Sequence, residues 1–322
     1  MESIRHTSSS NDDELLQSYI IMNESMVTNL IQTLWDFAAL ESVQKHLTHT
    51  QDVELFQKVE KTLDELQVSV AEGIRDIIGA RWLKPDDPAM HTIEDELLEL
   101  LSTVPLLRVS RIDYNLLDTL RKKITDRRVV HNLWKIFRPR EQYSSHLALR
   151  LAHYYAATKQ REKVEPLLMR VIDFLTEDYL LPEFVNIRSF GGDEGIGASV
   201  IAATDLILLL RDMILVEEGS NLILLQGIPD EWFTAKRPLI IDALLTSLGP
   251  VHVEIGSSAN QHQIEVNLEE LPDEFEFYVP SSIPLPMMKA YGASIVERAS
   301  KVASPYLRVV PHSNDIVLTF HK

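Results

Sequence analysis

The period of the hydrophobic pattern changes once along this chain, close to Gly227, and that change limits the folds open to it. Residues 26–47 and 52–78 repeat apolar side chains every three or four positions, which is typical of amphipathic helices. Residues 249–270 alternate apolar and polar side chains around a polar turn, which is typical of a β-hairpin. The pattern therefore predicts a protein of several domains, α and β: a disordered N-terminus over 1–11, helical hairpins over 12–235 and an antiparallel β domain over 236–322.

Further helices are expected inside the helical part. Residues 92–101 and 113–124 have helical periodicity, and Thr92 with Asp95 resembles a variant of the capping box that begins many helices. Residues 144–175 predict a helical hairpin that turns at 158–161, in which Pro166 should kink or start the second helix. The segment VVHNLWKIF around His131 is also assigned to a helical stretch.

Charge and composition exclude several classes of function. The formal net charge is −17, so phosphate groups of nucleic acids and anionic membrane surfaces would be repelled, and neither is expected as a partner. Cysteine is absent, which excludes disulfides and thiolate metal sites and is compatible with a cytoplasmic location. The first residues do not resemble a secretory signal, and no uncharged apolar run has transmembrane length. No nucleotide-binding motif or HExxH motif occurs, so neither a cofactor nor a metal is expected.

The histidines do not form a metal-binding pattern either. His131, His146 and His153 are expected on helices, where a histidine is usually satisfied by its neighbours. His252 and His262 are expected to face each other across the β-hairpin, but they lack the further ligands that zinc requires.

An unusual concentration of glycine and acid lies between residues 181 and 197. Four of the 11 glycines of the chain are found at 191–197, next to Asp193 and Glu194, and Glu183 comes shortly before them in the sequence LPEFVN. A long apolar helix that ends in LLRD follows, and then the strand-like NLILL and the segment GIPDEW. Ser247 to Val251, SLGPV, would then lead into the β domain.

In this order, these segments resemble the closing part of a six-hairpin glycosidase. The resemblance is specific between about residues 143 and 265. It implies an (α/α)6 barrel of helical hairpins followed by a β-sandwich, here as an incomplete toroid that lacks the first half of the barrel. It also implies a carbohydrate ligand, and either a second chain that supplies the missing half or an exposed apolar surface where that half would pack.

The resemblance further implies cleavage by two carboxyl groups on opposite faces of the sugar, with inversion if the protein is active. Glu183 is the candidate general base, and Pro182 should hold it on a loop. Arg188, Asp193, Glu194 and Trp35 are candidates for binding substrate. Each also has a structural interpretation: Asp193 and Glu194 as acids before a helix, Glu183 as a solvated side chain, Arg188 as an ion-pair partner and Trp35 as part of a helix packing face.

Two functions remain open from the sequence. One is a glycosidase, a subunit of one, or a degenerate homologue. The other is a non-catalytic protein that keeps the helical shell to bind carbohydrate or another protein, which the aromatic content of 7% favours. Because the resemblance supplies only one catalytic carboxylate, the isolated chain is expected to show no measurable hydrolysis of ordinary aryl glycosides.

Overall fold

The computed structural model describes residues 7–48, 52–79, 88–109, 111–137, 141–189, 191–192, 198–218, 220–233, 235–257, 261–280, 283, 285–299 and 305–321. The chain divides into two compact units. Unit 1 comprises Met1–Tyr154 and Arg170–Ala202, and unit 2 comprises Tyr155–Met169 and Ala203–Lys322.

Unit 1 begins with helices that pack through apolar stripes. In the second helix the buried side chains Val59, Leu63, Val70, Ile74 and Ile77 recur every three to seven residues, which places them on one face. The fourth helix begins after Asp113, whose side chain accepts a hydrogen bond from the Asn115 N–H. The first helix contacts the second and third, and the fourth contacts both the second and third. Their bounds are α1 Thr7–Leu47, α2 Val53–Gly79, α3 Pro88–Leu106 and α4 Tyr114–Arg128.

An antiparallel five-stranded sheet follows in unit 1, and it corrects one prediction from the sequence. The segment around His131 is not helical: it forms a β-hairpin whose turn residues His131 and Asn132 have φ values of 55° and 59°. Two positive φ values in succession are typical of the tight turn that joins twisted strands, and the flanking Val, Trp, Ile and Phe favour strands. The strands lie in chain order: β1 Val129–Val130, β2 Leu133–Phe137, β3 Glu141–Ser144, β4 Phe184–Asn186 and β5 Gly191–Gly192.

The remaining helices lie where the sequence predicted them, but two predicted details differ. The turn predicted at 158–161 separates two helices, and Pro166 lies within the second of them rather than at its start. Thr92 and Asp95 do not begin a helix, because α3 already begins at Pro88. The helices are α5 Ser145–Ala157, α6 Arg161–Ile172, α7 Val200–Ile214 and α8 Asp230–Phe233.

The strands of unit 2 form two further five-stranded sheets with a shared apolar core. Val253 and Phe320 of one sheet and Phe275 and Leu307 of the other belong to the same cluster of buried residues, which defines a β-sandwich. One sheet has the order β12 (Lys289–Tyr291), β15 (Asp315–His321), β10 (Gln261–Leu268), β9 (Gly249–Ser257), β8 (Leu239–Thr246). The other has the order β13 (Ala293–Ala299), β14 (Tyr306–Pro311), β11 (Phe275–Tyr278), β7 (Asn221–Leu224), β6 (Leu215–Glu218).

The predicted fold class, helical hairpins followed by a β-sandwich, is confirmed in its helical part and its β part. Among the described strands of unit 2, β7 pairs with β11 in parallel and the other pairs are antiparallel, and β6 and β7 precede residue 236. His252 and His262 do not face each other, because His252 lies opposite Asn267 and His262 lies opposite Ser257 in the β9–β10 register. Within the described residues, no helix combines the length and the apolar character needed to cross a membrane.

Candidate functional site

A cavity of about 620 Å³ lies within unit 1 and carries most of its acidic side chains on one helix. On α3, His91, Asp95 and Glu99 are spaced by four residues, so their side chains share one face of that helix. The end of β3, the first turn of α5 and the start of β4 supply the other walls. The lining residues are His91, Thr92, Asp95, Glu96, Glu99, Ile136, Ser144, His146, Leu147, Glu183, Phe184 and Ile201.

Glu183 lies in a bend directly before β4, and Pro182 before it disfavours a helical conformation at Leu181. The backbone N–H and the hydroxyl of Ser145 donate to its carbonyl oxygen at 3.0 and 3.1 Å, and the same hydroxyl contacts the carbonyl of Pro182. The next residue, Phe184, pairs with Ser144 in the β3–β4 register. The first residue of α5 and the edge of β3 therefore fix the backbone from which the Glu183 side chain reaches the cavity.

Asp95 is the second carboxyl group of interest in the lining. Its Oδ1 accepts a hydrogen bond from Trp134 Nε1 at 2.6 Å and another from Arg128 Nη2. Burial raises the pKa of Asp95 from 3.8 to about 6, although Arg128 and the Trp134 hydrogen bond act in the opposite direction, and Glu94 and Glu99 raise it further. Both donors bind Oδ1, so Oδ2 is the oxygen on which a proton would be held.

Arg128, the last residue of α4, organises the wall behind Asp95. Its side chain is fully buried, and Nη1 donates to Glu94 Oε2 at 2.8 Å and to the His91 carbonyl at 3.0 Å. Nε donates to the Lys135 carbonyl at 2.9 Å, and the guanidinium lies 5.0 Å from the centre of the Trp134 ring. Arg128, Glu94, Asp95 and Trp134 are called the Arg128 cluster below.

The other predicted site residues are not brought together with Glu183. Arg188 is exposed in the turn after β4, where its backbone N–H donates to Asn186 Oδ1 at 2.9 Å, and it does not line the cavity. Trp35 is 56% exposed on α1 and does not line the cavity either. Asp193 and Glu194 lie outside the described residues.

Sequence reasoning missed the Arg128 cluster, although one signal pointed to it. Glu94 occupies a position four residues before Leu98 and seven before Leu101, so it falls on the face that α3 buries. A carboxylate on a buried helix face requires a cationic partner or a proton. Such a pattern could have predicted a buried arginine, but not which one.

The histidines of the cavity do not indicate a metal centre. His91 and His146 both line it, but in the described ranges no group of three or more His, Asp or Glu side chains is arranged to hold a metal ion. His153 is buried on α5, and His262 stacks on Phe320 with ring centres 5.0 Å apart.

Comparison with known proteins adds a distant structural likeness. No protein-family model matches the sequence, and no curated protein matches it. Among solved structures, the chain is similar to an alpha-L-rhamnosidase from Dictyoglumus thermophilum, with a TM-score of 0.39 and 11% identity. The likeness covers 80% of this chain but 37% of that one, so the chain spans less than half the length of the rhamnosidase.

Proposed function

We propose that this chain is a glycosidase-like protein that binds a carbohydrate in the cavity of unit 1 and cleaves a glycosidic bond with Asp95 and Glu183. One observation carries the proposal. A single cavity of about 620 Å³ is lined by both carboxyl groups, and one of them has its pKa raised to about 6. Hydrolysis by paired carboxyls needs one group that still carries a proton near neutral pH and a second that accepts one.

In this proposal, Asp95 is the general acid. As the bond between the anomeric carbon and the leaving oxygen breaks, the proton of Asp95 passes to that oxygen, and Arg128 and Trp134 stabilise the carboxylate that remains. Glu183, in its ionised form, takes a proton from water while the water oxygen bonds to the anomeric carbon from the opposite face. The product then has inverted configuration.

The presence of Asp95 in the cavity removes the reason for expecting the isolated chain to be inactive. Inactivity of the isolated chain was expected because Glu183 had no acidic partner, and Asp95 is a candidate for that partner. The proposal therefore includes turnover by this chain alone. Whether a second chain completes the toroid stays a prediction.

The test compares four variants with the wild type on a panel of 4-nitrophenyl glycosides and reducing oligosaccharides between pH 4 and 8. Asp95→Asn and Glu183→Gln each remove one proposed catalytic carboxyl, and each is expected to lower kcat/KM about 100-fold or more. Asp178→Asn and Glu177→Gln make the same chemical changes at exposed positions of unit 1 that do not line the cavity, so they should match the wild type.

Three results separate the alternatives. Loss of turnover in both cavity variants, with retention in both controls and an inverted product anomer by ¹H NMR, supports the proposal. Equal turnover in all five proteins would remove Asp95 and Glu183 from the reaction. Sugar-dependent NMR shifts at cavity residues without any turnover would support a non-catalytic carbohydrate-binding protein instead.

A further inference from the structure

The Arg128 cluster contains one cation and two carboxyl groups, so a single positive charge faces two groups that can each carry a negative charge. Glu94 and Arg128 are both fully enclosed, with 0% of either side chain exposed, and their charged atoms are 2.8 Å apart. Asp95 binds the other guanidinium nitrogen, but 29% of its side chain is exposed, on the side that lines the cavity. If both carboxyls were ionised, the cluster would carry an excess negative charge in a poorly solvated place.

We infer that Glu94 is a positioning residue for the proposed reaction: by offsetting the charge of Arg128, it allows Asp95 to keep its proton in the cavity. This inference rests on the proposed function, because it concerns the acid of that same site. Burial favours the protonated form of Asp95, whereas a guanidinium with no other carboxylate partner would favour the ionised form and act against the proton that the leaving oxygen needs. Glu94 prevents this without contacting substrate, because it is fully buried behind the cavity wall.

The other charged and titratable groups near Asp95 act on its pKa in opposite directions. Glu99, on the same helix, raises the pKa of Asp95, whereas the Trp134 N–H of β2 lowers it. His91 Nδ1 lies 3.4 Å from Arg128 Nη1 and 3.6 Å from Glu94 Oε2, and beside a guanidinium donor it accepts a hydrogen bond only when it carries no proton. The groups that face the cavity from other positions are Glu96 on α3, His146 on α5 and Glu183 before β4.

The experiment measures the protonation of Asp95 directly and does not depend on turnover. The protein is labelled with ¹³C at the aspartate side-chain carboxyl, the Asp95 signal is assigned by its loss in Asp95→Asn, and its titration midpoint is followed by NMR. In the wild type the midpoint should lie near 6. In Glu94→Gln it should fall measurably from the wild-type value toward the ordinary 3.8, because Arg128 then acts on Asp95 without an opposing charge.

Two matched variants separate the effect of the Glu94 charge on the Asp95 midpoint from the effect of its side-chain shape. Glu94→Asp keeps the charge and should leave the midpoint close to that of the wild type. Glu99→Gln makes the same chemical change five residues along α3, at an exposed residue with no bond to Arg128, and should shift the midpoint less. If the proposed function is also right, the alkaline limb of the kcat/KM profile of Glu94→Gln should move to lower pH by the same amount as the midpoint.

A midpoint in Glu94→Gln equal to or above that of the wild type would overturn the inference, whatever happens to hydrolysis. If Glu94→Gln does not fold, a wild-type midpoint at or below the ordinary 3.8 overturns it equally, since Asp95 would then hold no proton near neutral pH. A midpoint that falls as expected in a protein without turnover would refute the proposed function and keep Glu94 as the residue that controls Asp95.

Discussion

The Arg128 cluster of unit 1 and the sandwich core of unit 2 stabilise their surroundings in opposite ways. In the sandwich, side chains such as Phe277, Ile264 and Leu318 are fully buried among other apolar groups, and none of them titrates. In the Arg128 cluster, a fully buried guanidinium lies between two carboxyl groups. Apolar burial stabilises a fold at any pH, whereas buried charge makes stability depend on the protonation of its partners. We therefore expect the two regions to respond differently to substitution and to pH.

The largest difference should come from Arg128→Met. Removal of the guanidinium leaves Glu94 without its cation in a fully buried position, which should lower the free energy of unfolding by about 3–5 kcal/mol at pH 7.5. The loss should be smaller at pH 4, where protonation relieves the uncompensated carboxyls. Urea unfolding followed by tryptophan fluorescence measures both values.

Arg111→Met is the control for this substitution. Arg111 pairs with Glu60 at 2.9 Å and Asp64 at 3.0 Å, but these partners are 40% and 64% exposed. Its loss should cost about 1 kcal/mol or less. Equal costs for the two arginines would mean that burial of the Arg128 cluster has no energetic importance.

A smaller effect of opposite sign is expected for Asp95→Asn. Folded Asp95 keeps its proton up to about pH 6, whereas the unfolded chain releases it near 3.8, so the folded state binds more protons between these values and loses stability as the pH rises through them. At about 1.4 kcal/mol per pH unit, ionised Asp95 destabilises the folded protein by on the order of 3 kcal/mol above pH 6.

Asparagine keeps an oxygen for Arg128 and Trp134 and avoids this cost. Asp95→Asn should therefore stabilise the protein above pH 6 and have little effect below pH 4. The measurement is the free energy of unfolding at pH 3.5, 5 and 7.5. A stabilisation that does not change with pH would contradict the assignment of the raised pKa to Asp95.

The sandwich supplies the comparison with an apolar site. Ile264→Val removes one methylene from a fully buried position on β10 and should cost about 1 kcal/mol. Because no titrating group is involved, the same cost is expected at pH 4 and at pH 7.5. A cost that varied with pH as strongly as that of Arg128→Met would show that the two regions do not differ in the way proposed.

The smallest effect is expected in the hairpin beside the Arg128 cluster. His131 has a φ of 55°, a conformation that asparagine tolerates better than histidine. His131→Asn should raise the free energy of unfolding by up to about 1 kcal/mol. A thermal unfolding temperature below that of the wild type would indicate that the His131 side chain contributes more than the strain of its backbone.

Local patterns in the sequence were enough to predict the parts of the fold that depend on them. The spacing of Val59, Leu63, Val70 and Ile74 predicted α2, and alternation predicted the β9–β10 hairpin. The pattern failed at the segment around His131, where an apolar run suited either a helix or a strand and the turn residues were not recognised. Asp95 was interpreted as a cap, because the sequence does not show that α3 begins as early as Pro88.

The candidate site was harder to predict than the fold, because it is formed by contacts between residues that are distant in the sequence. Pro182 restricts Leu181 to an extended conformation, from which a loop was predicted at Glu183, and the bend before β4 agrees with that prediction. The pairing of Arg128 with Glu94 joins side chains 34 positions apart, and Glu183 lies farther still from Asp95 in sequence. No periodicity encodes such distances, so Asp95, the proposed acidic partner of Glu183, could be found only in the folded chain.

The turn at His131 and Asn132 also bears on the order in which this region folds. It reverses the direction of the chain within two residues. Arg128 therefore contacts the Lys135 carbonyl, seven residues later, and the Trp134 ring, six residues later. Closing so short a loop costs little chain entropy. Bringing α3 into contact with Arg128 closes a loop of more than 30 residues and costs more. We expect the end of α4 and the hairpin to assemble early and to present a half-coordinated guanidinium, onto which the carboxylates of α3 dock later. Stopped-flow kinetics would then show Asn132→Ala slowing refolding and Glu94→Gln mainly accelerating unfolding.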